Sequence, residues 1–156
     1  MAGTRYIVAG SLIDGSGAAV RRNVFLAVEN GVITAIGPVA DLPRQEGAPI
    51  DDLSHCTLVP ALVDCSVSLA RSPAMEMKLF LKAGYSLEET IRCASENGAR
   101  FFGMEKLGVL TVGRPATFLI TRGTAGQLPR KLAYLEGIYV EGALSSTYRK
   151  NPVKVA

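Results

Sequence analysis

Apolar and polar positions along the chain fall into three zones of different period. The first third alternates over short runs, as half-buried or fully buried strands do. "RYIVAGSLI" is a short apolar strand that turns at Asp14-Gly15-Ser16-Gly17. "NVFLAVENGVITAIG" carries two apolar runs, Val24 to Val28 and Val32 to Ile36, around Asn30-Gly31. Asn-Gly tolerates positive φ at both central turn positions, so these runs predict a tight β-hairpin. Val24, Leu26 and Val28 share one face. Phe25 and Ala27 make the other face apolar too, which predicts cover on both sides. Residues 41–52, "DLPRQEGAPIDD", are polar with two prolines and read as a surface loop. "CTLVPALVD" then reads as a strand interrupted or ended near Pro60.

The middle third changes to a helical period. Ser72-Pro73 suits a helix start, Leu79, Phe80 and Leu81 form the apolar centre, and Gly84 suits the stop. Ser86 begins a second helix, with Ser86 and Glu89 at capping-box spacing. Leu87, Ile91, Ala94, Gly98 and Phe102 recur on one face, and Gly103 suits the C-terminal stop. The last third returns to strands in "PATFLITRG" and "LAYLEGIYVEGAL", separated by glycine-containing turns, and the tail "YRKNPVKVA" is expected to be loosely attached. The order β, two helices, β predicts a mainly β, α+β fold with two inserted helices, in which the outer thirds form one β system. The expected organisation is a single domain over 1–156. Its parts are an N-terminal β segment, 1–65, a helical insert, 66–103, and a C-terminal β segment, 104–156.

Composition narrows the function classes. With 156 residues, 48% apolar and 20% charged, the chain can build a real core. The net charge of +3 comes from scattered basic pairs, without the dense basic stripe of a nucleic-acid binder, so no nucleic-acid partner is expected. No apolar run reaches the ~18 residues of a membrane span, and the N-terminus lacks the apolar stretch of a signal peptide. Three cysteines without CxxC spacing fit a reducing, cytoplasmic setting.

Three stretches together resemble the metal-dependent amidohydrolase superfamily of dihydroorotase- and imidazolonepropionase-like enzymes. They are "GSLIDGSGAAVRRNVFLAVENGVITAIGP", "LVPALVDCSVS" and "KAGYSLEETIRCASENGARFFGMEKLGVLTVGRPATFLIT". The resemblance implies a composite β-sandwich, the small domain of that family, built from N- and C-terminal segments beside a (β/α)8 barrel that holds the metals. A barrel needs ~250 residues, and only residues 69–83 separate Ser68 from Gly84, so the resemblance implies a small domain with a short helical remnant.

The family's His-x-His metal pair falls on Ser66 and Ser68, and a neutral hydroxyl is a poor ligand beside imidazole for zinc-like ions. Its later ligands would fall in the absent segment. Asp64 keeps its family position and reads as a strand-end carboxylate. The family's Ala-Asp pair stands here as Ala116-Thr117. His55, Cys56, Asp64 and Cys65 are four residues of zinc-ligand type, but their spacing fits no known zinc module. Cys65, with His55 as its base, is the best-placed nucleophile. Buried thiols and a surface histidine are the plainer reading of all of these. Gly15-Ser16-Gly17 lacks the third glycine and the following helix of a dinucleotide loop, and Glu88 and Glu89 suit the positive end of a helix.

Without a barrel, the face that would meet it is open to water. The expectation is therefore a non-catalytic amidohydrolase-related domain, needing no cofactor, that acts as a homodimer or with a protein partner through the region Ser66–Leu81. The alternative is a metal-dependent hydrolase of C–N bonds in cyclic amides, with an atypical or partner-completed site and zinc as its metal.

Overall fold

The computed structural model describes residues 3–43, 45–63 and 73–148. Seven strands run β1 (Arg5–Leu12), β2 (Arg21–Glu29), β3 (Val32–Pro38), β4 (Ile50–Pro60), β5 (Phe118–Arg122), β6 (Leu135–Val140) and β7 (Ala143–Leu144). Between β4 and β5 lie α1 (Pro73–Lys82), α2 (Leu87–Arg92), a π-helical turn (Cys93–Asn97) and α3 (Gly98–Phe101). The fold is thus mainly β with an inserted helical segment, as the sequence predicts.

The strands form one mixed sheet in the order β3-β2-β1-β4-β5-β6-β7. This hydrogen-bonding pattern does not divide into two facing sheets. The N-terminal strands pair antiparallel, β1 with β2 and β2 with β3, while β4 runs parallel to β1 and antiparallel to β5. β4 therefore joins the N-terminal strands to the C-terminal ones.

The sheet curls so that its two hairpin tips meet. Asn30 and Gly31 have φ of 50° and 80°, and Glu141 and Gly142, between β6 and β7, have 47° and 77°. Both are the paired positive-φ turns that suit twisted strands. Ala116 N–H donates to Gly31 O at 2.8 Å, and Gly142 N–H donates to Ala116 O at 3.0 Å, stitching the tips together. A Cβ on Gly31 would lie 2.8 Å from Glu141 O, and one on Gly142 would lie 2.8 Å from the Val28 side chain, so this meeting requires glycine on both sides.

The curl encloses the main core. Ile7, Leu26, Ile33, Leu58 and Phe118 are wholly buried in it, with Val24 and Val28 on the same face of β2. Phe25 and Ala27 pack on the other face with Tyr6. The hairpin and the double cover of β2 follow the hydrophobic pattern. A second cluster, including Ile13, Val59, Met77, Ile91 and Leu128, fixes the helices to the sheet.

Three expectations need correction. β4 begins at Ile50, inside the stretch read as loop; its first residues, Ile50 to His55, hold only two apolar side chains, Ile50 exposed and Leu53 packed on the main core, and carry no continuous apolar run. Phe102 is 53% exposed rather than on the buried face, because the π turn widens the helix and rotates the residues beyond it. Ala99 is buried in its place. The last third is broken by two 3-10 turns, Ala125–Gln127 and Arg130–Ala133, where the pattern suggested simple glycine turns. The Ser86–Glu89 capping box is present in both directions. Ser72 lies outside the described residues. Of the tail, Tyr148 is tied down by its hydroxyl, which donates to Leu135 O at 2.8 Å.

Candidate functional site

α1 has the largest mismatch between residue type and surroundings. Met77 points into the second core cluster, while Met75, Leu79 and Phe80 are 55%, 48% and 40% exposed. Met75 and Leu79 are one turn apart and so share a face. Phe80 packs edge-on against Tyr85, itself exposed, with ring centroids 5.4 Å apart. Lys78 and Lys82 flank this strip. The capping box at Ser86 starts α2 directly after the Gly84 turn, and α2 and Met77 hold α1 against the sheet with the strip outward. Phe101, Phe102 and Met104, at and beyond the end of α3, form a second exposed apolar group, the two rings 5.2 Å apart.

Of the candidate chemical residues, His55 is exposed on β4 and Cys56 is buried in the main core. Asp64, Cys65, Ser66 and Ser68 lie outside the described residues. Among the described residues, no three His, Cys, Asp or Glu side chains come together as a metal would require. The resemblance implies a metal; of the four candidate ligands His55, Cys56, Asp64 and Cys65, the described residues include the exposed His55 and the buried Cys56.

The curl also assembles a polar cluster that has no local sequence signal. Arg5 of β1 donates to Asp51 of β4 at 2.8 Å, and the Tyr139 hydroxyl of β6 donates to the same carboxylate. Burial, then the hydrogen bond to Asp51, pushes the Tyr139 hydroxyl up to about 12. The Asp51 carboxylate in turn raises the Arg5 guanidinium. Three strands distant in sequence supply these groups, so only the closed fold reveals them. The cluster is an internal clasp; each charge in it already has its partner.

A sequence profile of the amidohydrolase family matches residues 21–150. The chain belongs to the amidohydrolase family. A comparison with curated protein sequences finds no match. Among solved structures, similar chains include an ochratoxinase from A. niger, at 30% identity over 42% of this chain and 15% of that chain, TM-score 0.37. An adenosine deaminase from Xanthomonas campestris with bound zinc is similar at 33% identity over 38% of this chain and 14% of that one, TM-score 0.34. A molinate hydrolase shares 25% identity over 67% of this chain and 20% of that one, TM-score 0.37. This amidohydrolase-family chain therefore spans a small part of the length of these relatives. None of its described helices is long and apolar enough to cross a membrane.

Proposed function

We propose that this amidohydrolase-family domain does not hydrolyse on its own and acts by association, with a second copy of itself or with another protein, through the outer strip of α1. The exposure of Met75, Leu79 and Phe80 on a helix whose other face is anchored in the core carries this reading. Apolar area withdrawn from water is worth ~25 cal/mol per Å², so a few such side chains give an interface its buried centre. Two further points support it. Ser66 and Ser68 occupy the His-x-His positions, and residues 69–83 are too short a stretch to hold the rest of a metal barrel.

Multi-angle light scattering at low micromolar concentration tests the association. A dimer mass, returned to monomer by Leu79→Glu with Phe80→Glu, is the expected result. A clean monomer that also captures no partner overturns it. Metal content tests the non-catalytic part independently: stoichiometric zinc, iron or nickel in the purified chain would replace this reading with that of a C–N hydrolase.

A further inference from the structure

Three neighbouring strands, β2, β1 and β4, depart from regular geometry at one level of the sheet. The β1–β4 register passes from Ala9 opposite Leu53 to Ser11 opposite Thr57, so β4 advances four residues while β1 advances two. Gly10 lies in this gap, and a Cβ there would stand 2.3 Å from Ser54 O and 3.2 Å from Cys56 O. On the other side of β1, Ala9 faces Val24 and Ser11 faces Arg22, which puts Asn23 beside Gly10. Asn23 has φ 49°, a left-handed conformation near the start of β2. Beyond β4, Gly123 follows the end of β5, and its N–H donates to His55 O at 2.9 Å. Bulges of this kind re-aim side chains. Here they open a depression of about 280 Å³ whose polar lining includes Arg22, Asn23, Ser54, His55 and Thr124.

The lining has one sign of charge. It contains a guanidinium, an imidazole, three hydroxyl residues and an amide, and no carboxylate. Arg22 is exposed, and among the described residues it makes no ion pair; its neighbour Arg21 is the one that reaches Asp14, at 3.5 Å. Asp52 attracts His55 electrostatically, but its carboxylate accepts from Ser54 N–H at 2.9 Å and does not line the depression. The volume is at the lower limit of ligand pockets, large enough for inorganic phosphate or a short dicarboxylate and too small for a nucleotide.

We infer that this depression binds a small oxyanion, the phosphate or carboxylate group of a low-molecular-weight compound. Arg22 is the charged anchor, and His55, Asn23, Ser54 and Thr124 are further donors. A guanidinium offers a planar pair of N–H groups that matches two oxygens of such a group at once.

Titration of the whole chain with sodium phosphate, and separately with sodium succinate, tests this, with sodium chloride at matched ionic strength as the control. Heats and 1H–15N spectra are read together. The expected result is saturable binding of at least one oxyanion, with shifts confined to residues 10–11, 22–23, 54–56 and 123–124. Arg22→Ala should weaken it about tenfold or more, and Arg22→Lys by less. Saturation by phosphate alone or by succinate alone supports the site and tells which oxyanion it takes. Non-saturating shifts spread over the surface, or Arg22→Ala titrating like the parent, overturn it. The site is remote in sequence from α1 and needs no association, so its failure leaves the dimer reading untouched.

Discussion

β2 and α1 are both rich in apolar residues, and the fold treats them in opposite ways. Along β2, Val24 to Val28 are buried on both faces by the chain's own strands and loops. Along α1, Met77 is buried while Met75, Leu79 and Phe80 face water. β2 has a strand on each side, and the sheet curls over it. Among the described residues, α1 has the second core cluster, α2 and the Arg130–Ala133 turn on one side. Apolar content in β2 is therefore explained within one chain, whereas the described residues leave that of α1 partly uncovered.

The contrast can be broken first at β2. Leu26→Ala should cost about 2–5 kcal/mol in urea unfolding, since a wholly buried leucine leaves a cavity as well as losing its transfer energy. A cost comparable to that of a surface change would mean that the curled core is not the source of stability.

A smaller effect should come from the clasp that closes the curl. Tyr139 is raised in the folded state from an ordinary value near 10 to about 12. The unfolded chain thus loses this proton first. The contribution is complete below about pH 10 and is lost as pH rises to about 12. Chemical unfolding followed across that window should show falling stability, and Tyr139→Phe should flatten the part of the slope due to this group.

The least effect on folding is expected from Leu79→Glu with Phe80→Glu. Both side chains are partly exposed in the single chain and Phe80 gives up its contact with Tyr85, so monomer stability should fall by about 1 kcal/mol at most. A large loss of monomer stability would show that α1 packs against its own chain, and the contrast with β2 would disappear.

How far the sequence discloses this molecule depends on the distance over which each signal acts. Asn30-Gly31 and the Ser86–Glu89 box are local chemistry, and both are realised in the fold. The polar start of β4 is illegible in the sequence because Ile50 to His55 lie at one margin of the sheet and need no apolar run to be a strand. The π turn shifts Phe102 off its expected face by a backbone change that residue type does not announce. For the site, the apolar centre of α1 is visible in the sequence itself, while its exposure is expected only through the family resemblance, because exposure is decided by what stands opposite. Arg5, Asp51 and Tyr139, and the Arg22–His55 depression, depend on strand register and on the parallel pairing of β1 with β4.

That pairing scheme has a consequence for what the frame can carry. β4 meets β5 with Pro60 opposite Phe118, so everything between them is a loop whose two ends are neighbours in the sheet. The entropy of closing such a loop grows only with the logarithm of its length, about 0.6 kcal/mol for each doubling of a flexible segment. A β frame closed by Gly31, Ala116 and Gly142 on one margin can therefore host inserts of very different size at nearly constant cost. A small helical insert is enough to complete its second core cluster, and the length of the insert is left to be set by function.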